Sequence, residues 1–166
     1  LATKTHYLDI TGEIDVFESI YAQNSIAQQQ GVVLLPGTGF DIVPSDCLAA
    51  LLTEKLSSQS QTIHSVEMAF CGDGGVSPGT AKTMIQMLAQ GGRVRPNGEI
   101  TAVRYGHKQK QIQFSSRSEW CMTIPWGDVS SAFYANGVQN IEVYTAVPRV
   151  AARIMRLCAP LFKLFS

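Results

Sequence analysis

Residues 32–46 read VVLLPGTGFDIVPSD. The continuous apolar run at the start is typical of a strand buried on both faces, as strands of a parallel sheet are. The run ends in a glycine-rich turn that carries an acid, Asp41. Pro44 suits the first turn of a helix, where its missing N–H is not needed, and Ser45 and Asp46 offer cap oxygens and negative charge. The stretch therefore predicts a strand, a turn and a helix in succession.

A similar strand and turn come just before this stretch. Residues 6–13 read HYLDITGE, in which Tyr7 to Ile10 is a short apolar strand that ends in a turn. Apolar residues then recur at roughly helical spacing over 14–29, and Gly31 predicts the end of that helix. Strand, helix and strand in this order form a βαβ unit. Because ligands bind at the carboxyl ends of parallel strands, both turns are expected to line one wall of a cleft.

The pattern changes in the second part of the chain. Leucines at helical spacing predict a buried stripe on the helix that follows residue 43: Leu48, Leu51, Leu52 and Leu56. Consecutive strand-like runs joined by polar turns favour antiparallel pairing further along the chain. The other predicted elements are a strand at 63–70, a glycine-rich loop at 72–79, a helix at 80–90 closed by Gly91-Gly92, strands at 100–105, 110–115 and 120–124, a helix at 129–134, a strand at 140–146 and a helix at 149–165.

These elements predict an α+β fold with an α/β remnant at its N-terminus. Residues 1–43 are expected to be the C-terminal βαβ remnant of a nucleotide-binding, Rossmann-like domain whose phosphate-binding half precedes them. Residues 44–166 are expected to form a second, α+β domain, in which a mixed or antiparallel sheet carries helices on one face.

Composition excludes several classes of function. The chain has 166 residues, 45% of them hydrophobic and 16% charged, which indicates a globular protein, and its zero net charge argues against nucleic acid as a partner. Four separated cysteines without a C-x-x-C pair indicate neither a disulfide framework nor a metal site, and reduced thiols favour a cytoplasmic protein. The histidines are scattered and interpreted as structural. No apolar run approaches the ~18 residues of a membrane span, so a membrane partner is not expected.

The loop at 72–79 is close to a phosphate-binding P-loop without matching it. Gly74 and Gly79 have the required spacing, but Thr80 and Ala81 separate Lys82 from the second glycine. A lysine in that place does not reach phosphates held by the loop. The interpretation is a flexible turn that places Ser77 and Thr80 at a helix N-terminus, where an anionic group can sit.

Two further segments carry candidate site residues. Residues 124–130 read IPWGDVS and connect a strand to a helix, for which Asp128 is the predicted N-cap. Trp126 is either the wall of a cleft or an aromatic plug in the core. Asp41 is the candidate proton donor or acceptor if burial against Phe40 and Ile42 raises its pKa, and a turn-stabilising carboxylate is the alternative.

The C-terminal helix is predicted to be amphipathic with a basic face. Its basic residues are Arg149, Arg153, Arg156 and Lys163. Docking on a membrane surface is one interpretation, and packing on a partner chain or on absent residues is favoured over it. The apolar tail residues would form an exposed patch on a monomer, which predicts a homodimer: Leu161, Phe162, Leu164 and Phe165.

Four stretches in this order, at 6–13, 37–46, 77–84 and 124–130, together resemble the saccharopine dehydrogenase-like oxidoreductases. The resemblance spans nearly the whole chain. It implies an NAD(P)-dependent reductase or dehydrogenase that consists of a Rossmann domain and an inserted α+β domain. The inserted domain shapes the substrate cleft in such proteins and often mediates pairing.

The resemblance also implies roles for individual residues in the parent protein. Contact with the nicotinamide end of NAD or NADP is implied for Gly37, Thr38 and Gly39. Contact with a small-molecule substrate is implied for Ser77, Thr80, Trp126 and Asp128. The N-terminal dinucleotide fingerprint is missing, so this chain by itself is expected to bind no cofactor and to be inactive, with the missing Rossmann domain as its partner. The alternative is a non-catalytic scaffold for ligand binding or oligomerisation.

Overall fold

The computed structural model describes residues 2–72, 88 and 90–162, with side chains as far as Leu157. These parts of the chain form an α+β structure, as predicted. Its elements are β1 (Tyr7–Leu8), α1 (Ile14–Tyr21), α2 (Asn24–Gln30), β2 (Leu34–Leu35), α3 (Val43–Ser58), β3 (Val66–Phe70), β4 (Gly92–Val94), β5 (Thr101–Val103), β6 (Gln109–Gln113), β7 (Ser118–Thr123), α4 (Asp128–Asn136), β8 (Ile141–Ala146) and α5 (Arg149–Phe162).

The first two strands pair in parallel, with Tyr7 opposite Leu34. The predicted order of strand, helix and strand is therefore present. The helix predicted over 14–29 is divided into α1 and α2, because helical hydrogen bonding stops at Ala22 and resumes at Asn24. Gly31 ends α2 in the left-handed conformation, as its position predicts.

Helix α3 begins as predicted, with Pro44 in its first turn, but the face that it buries is not the predicted one. The leucine stripe is largely exposed, and Leu51 is 62% exposed. The buried residue of α3 is Ala49, and the helix packs against α4. The Thr53 hydroxyl donates to the Asn136 side-chain oxygen at 3.1 Å across this contact. A small residue and polar pairs hold the two helices together, so the leucines face away.

The largest sheet within the described residues has four strands in the order β3, β8, β7, β6. Antiparallel pairing of β6 with β7 and of β7 with β8 confirms the predicted trend, whereas β3 pairs with β8 in parallel. The strand predicted at 100–105 is shorter and belongs to a separate antiparallel pair, β4 with β5. Sequence reasoning missed β4, because Gly91-Gly92 was interpreted as the end of a helix. A Cβ at Gly92 would lie 2.8 Å from the Arg104 carbonyl oxygen, so only glycine allows this close approach.

The hydrophobic core joins residues from both ends of the chain. Its buried members are Ile14, Leu88, Tyr105, Met122, Ile124, Val129, Val143 and Ala152. Ile14 belongs to the first predicted domain and the others to the second, so the two ranges share this core. The predicted boundary near residues 43–46 stays a prediction.

Cys47, Cys71 and Cys121 are free thiols. None of the helices within the described residues is long and apolar enough to cross a membrane.

Candidate functional site

Three loops meet closely beside the carboxyl ends of β1 and β2. A Cβ at Gly127 would lie 2.8 Å from Ile42 Cδ1, 2.8 Å from Phe17 Cε2 and 2.9 Å from the Gly12 carbonyl oxygen. Gly37 has a φ of +71°, in the left-handed region, and a side chain there would run into the Phe17 ring. Glycine is therefore required at both positions for the turns after β1 and β2 to pack against the start of α4.

Asp9 organises the turn that follows β2. Its Oδ1 accepts hydrogen bonds from the Gly37 N–H at 2.9 Å and the Thr11 N–H at 3.0 Å, and its Oδ2 accepts one from the Tyr7 hydroxyl at 2.5 Å. Partial burial alone would raise the pKa of this carboxyl, but the hydrogen bonds from Tyr7, Gly37 and Thr11 outweigh it, so the pKa lies below its ordinary value. Asp9 is thus held ionised as a structural group.

The predicted cofactor-binding turn, residues 37–39, is also hydrogen-bonded to the backbone of Asp9, which directly follows β1. The Thr38 N–H donates to the Asp9 carbonyl oxygen at 2.7 Å, and the Thr38 hydroxyl donates to it at 2.6 Å. Since the Gly37 N–H is also bonded to Asp9, these two amides point inward. Any contact of Gly37 or Thr38 with a ligand in this arrangement has to use carbonyl groups and van der Waals surface.

An apolar cavity of about 180 Å³ lies next to this turn. Trp126 and Phe70 form part of its wall, with ring centroids 6.0 Å apart. The Trp126 indole N–H donates to the Asp41 carbonyl oxygen at 3.1 Å, which fixes the ring against the loop of residues 37–41. Trp126 thus lines a cavity, and both it and Asp41 belong to one site.

Asp41 itself is exposed, and Phe40 is 88% exposed. The burial against Phe40 that would have supported a catalytic role is therefore absent. A different ionisable group is buried in the cavity wall. Tyr105 is almost completely buried, and burial raises its pKa to about 12, so its hydroxyl keeps its proton at neutral pH and can donate a hydrogen bond. Sequence reasoning missed Tyr105, because a tyrosine in a strand-like run carries no signal of a site.

Asp128 is fully buried at the start of α4. The predicted N-cap role is wrong, because Gly127 occupies that position and the Asp128 side chain accepts a hydrogen bond from the Ser45 hydroxyl instead. Its second oxygen, Oδ2, has no hydrogen-bond partner among the described residues. Burial raises the pKa of Asp128 to about 7, and the negative charges of Asp46 and Asp41 add to the effect against the opposing Ser45 hydrogen bond. Asp128 therefore exchanges a proton near neutral pH.

The predicted caps of α3 are also used differently. Asp46 accepts a hydrogen bond from the Ser131 hydroxyl at 3.2 Å, and the Ser45 hydroxyl shares its single proton between the Ile42 carbonyl oxygen and Asp128. Burial raises the pKa of Asp46, although the Ser131 hydrogen bond opposes the shift. Both side chains tie α3 to α4, because the folded chain places hydroxyls and carboxylates of the two helices opposite one another.

A second buried polar cluster surrounds Arg95, which is 3% exposed. Its guanidinium nitrogens donate to the Val129 carbonyl at 2.9 Å, the Gly98 carbonyl at 2.8 Å and the Glu18 carboxylate. Glu18 also accepts hydrogen bonds from the Ser130 hydroxyl at 2.5 Å and the Tyr134 hydroxyl at 3.1 Å. Every charge in the cluster is paired, which is typical of a structural network. No sequence motif indicated it.

Two predicted site residues, Ser77 and Thr80, lie outside the described residues. In 2–72, 88 and 90–162, no group of three His, Cys, Asp or Glu side chains is arranged to hold a metal ion. A larger, open groove of about 750 Å³ is lined by residues of the segment 3–7 and of α1, by Gln23 and by Leu34, and none of its described lining residues lines the apolar cavity.

Comparison of the chain with protein-family models and with curated proteins found no match.

Proposed function

We propose that this chain is the substrate-side and dimerisation portion of a saccharopine dehydrogenase-like, NAD(P)-dependent oxidoreductase of the cytoplasm. The observation that carries the proposal is the placement of the apolar cavity beside the glycine turn at the carboxyl ends of β1 and β2. Ligands of parallel sheets bind at such ends. A substrate in the cavity would then lie next to the residues expected at the nicotinamide end of the cofactor.

The exposed apolar side chains of the β1–β2 pair support the proposal that residues 1–43 are the remnant of a Rossmann domain. Strands of parallel sheets are normally covered on both faces, yet this pair and its flanking residues leave large apolar side chains exposed. These are Leu8, Ile10, Val33 and Leu35. Two strands of this kind are expected to belong to a larger parallel sheet. The proposed partner is the missing N-terminal Rossmann domain, and the second sheet with helices on one face is the substrate domain.

The residues fit only one end of a dinucleotide. NAD or NADP would supply the hydride chemistry, and the protein would position the substrate and provide a proton donor. The space that a Cβ would take at Gly37 and at Gly39 is filled by the side chains of Phe17 and Ile10, and the amides of Gly37 and Thr38 are bonded to Asp9, so this turn would meet a planar ring with its outer surface. Tyr105 lines the cavity, and we propose that its protonated hydroxyl holds a polar atom of the substrate, while Trp126 is fixed against the loop of residues 37–41.

A direct test is cofactor binding by the chain with and without the sequence encoded upstream of Leu1. The chain alone is expected to show no measurable binding of NAD or NADP in calorimetry, because glycine amides at the first helix of a Rossmann unit hold the pyrophosphate. The extended protein is expected to bind one of the two, with an upstream strand followed by G-x-G-x-x-G. Micromolar binding of NAD or NADP by the chain alone would overturn the proposal that it carries only part of the cofactor cleft. If the extended protein binds neither cofactor, the alternative of a non-catalytic scaffold is favoured.

Dimerisation is proposed to use the exposed apolar stripe of α5. Val150, Ile154 and Leu157 follow one another at helical spacing and are exposed. A stripe of this kind is unfavourable on a monomer. Light scattering is expected to give the mass of a dimer, and Ile154→Glu to give that of a monomer. Leu51→Glu, on the exposed face of α3, is the matched control and should leave the mass unchanged. A monomeric wild-type chain at high concentration would refute the proposal.

A further inference from the structure

We infer that the apolar cavity holds an uncharged hydrophobic group of about the size of one aromatic ring, and that the substrate is a neutral hydrophobic compound and not an amino acid or other carboxylate. The first part concerns the chain as it is. The second part rests on the proposed function, because it identifies the bound compound with the substrate.

The size of the cavity sets the size of the ligand. Its volume is about 180 Å³. An apolar protein cavity of about 150 Å³ takes up benzene from water. The cavity therefore has room for a benzene or toluene ring, or for a short alkyl segment, and a bicyclic compound requires that the wall move.

The chemistry of the lining determines which groups can enter. Phe70, Met122, Ile124 and Met155 contribute apolar surface, and Met side chains adapt their shape to a ligand at low cost. Asp41 carries the only formal charge among the described lining residues at neutral pH, and that charge is negative. A carboxylate or phosphate in this cavity would lose its hydration without gaining a cationic partner among the described lining residues. Anionic substrates are thus strongly disfavoured.

The position of the cavity opening determines the orientation of the bound ligand. Phe40 and Asp41 are exposed, whereas the other described lining residues are buried or half-buried. A ligand consequently enters beside the loop of residues 37–41, with its apolar group inward. Its polar end stays near this loop, which is where the proposed function places the nicotinamide.

The test compares two probes of similar shape, toluene and benzoate. Toluene is expected to shift the methyl resonances of Met122 and Met155 in the ¹³C-methyl-Met-labelled chain in a saturable way. Benzoate is expected to bind at least about tenfold more weakly, because the described lining offers its carboxylate no cation. Benzoate binding as tight as that of toluene would overturn the inference, and so would the absence of saturable shifts with toluene.

A pair of tryptophan variants localises the binding. Met155→Trp fills the cavity and is expected to abolish toluene binding, while Leu51→Trp adds the same side chain on the exposed face of α3 and is expected to leave binding unchanged. If Met155→Trp does not fold, Phe70→Leu takes its place: it enlarges the cavity and is expected to raise the affinity for naphthalene at least about tenfold. Toluene binding that is insensitive to every cavity variant that folds would show a different site.

The outcomes separate this inference from the proposed function. Toluene binding by the chain together with no NAD(P) binding by the extended protein would keep the hydrophobic site and remove the oxidoreductase. NAD(P) binding without toluene binding would keep the oxidoreductase and remove the hydrophobic substrate class.

Discussion

Replacement of Arg95 by alanine is expected to lower the free energy of unfolding by about 3–5 kcal/mol. Arg95 is buried, donates hydrogen bonds to Val129, Gly98 and Glu18, and lies 4.2 Å from the centre of the Phe133 ring. The substitution leaves the Glu18 carboxylate partly buried without its cation. The loss is therefore larger than that of the hydrogen bonds alone, because the Glu18 carboxylate, which is 34% exposed, stays partly buried without its cation.

The matched control is Arg93→Ala. Arg93 is two residues away and also pairs with an acid of α1, Asp15, but this ion pair is on the surface, where Asp15 is 68% exposed. Exposed pairs contribute about 0–1 kcal/mol, so the control is expected to lose no more than that. Urea unfolding of both variants measures the difference. Equal losses of unfolding free energy in the two variants would show that burial does not make the Arg95 ion pair more important for stability than an exposed one.

Replacement of Asp128 by asparagine is expected to stabilise the protein at alkaline pH. The pKa of Asp128 is about 7 in the folded protein and 3.8 ordinarily. Between these values the folded state binds the proton more tightly than the unfolded chain, so the stability contributed by the protonated carboxyl is complete below pH ~4 and is lost as the pH rises through about 7. Asparagine stays neutral throughout this range and therefore avoids the cost of a buried negative charge.

The difference between the two pKa values corresponds to roughly 4 kcal/mol. At about pH 4 the variant and the wild type are expected to unfold with similar free energies, and at about pH 8.5 the variant is expected to be more stable by up to this amount. Urea unfolding at both pH values measures the effect. A variant that is less stable than the wild type at the higher pH would contradict a protonated, uncharged Asp128.

Two other acids also contribute to the pH dependence of the stability. Asp46 also has a raised pKa, so it leaves a residual loss of stability with rising pH in the Asp128 variant. Asp9 has a lowered pKa, and its contribution is present above its unfolded-state pKa and is lost as the pH falls through the lower, folded-state value. Asp9→Asn is thus expected to destabilise the protein at neutral pH, opposite in sign to Asp128→Asn.

Short stretches of sequence determined the local structure around the candidate site. The apolar run before Pro36, the left-handed glycine at 31 and the proline at 44 each act on a few neighbouring residues. Strand β2, the end of α2 and the start of α3 were therefore predictable. The same local reasoning drew attention to Trp126, Asp41 and Asp128, because loops after strands commonly carry sites.

Burial of these residues was decided by the tertiary structure. Asp41 was the candidate proton donor or acceptor and Asp128 a predicted N-cap, yet Asp41 is exposed and Asp128 is fully buried. The leucines of α3 have the periodicity of a buried stripe, and Leu51 is nevertheless exposed, because α4 packs on the side that carries Ala49 and Asp46. Periodicity shows that a helix has an apolar face. It does not show which face another element covers.

Contacts between distant parts of the chain decided the rest. Glu18 and Arg95 are 77 positions apart, and Gly127 meets Phe17 and Ile42 from the other end of the molecule. Such pairs leave no local pattern, since either residue alone is an ordinary charged residue or glycine of a loop. The sequence by itself thus determined the strands, turns and helix starts of the site, whose interactions lie within a few residues. The cavity, the burial of Asp128 and the pairing of Arg95 depend on segments that meet only after folding. The tertiary structure alone therefore decided them.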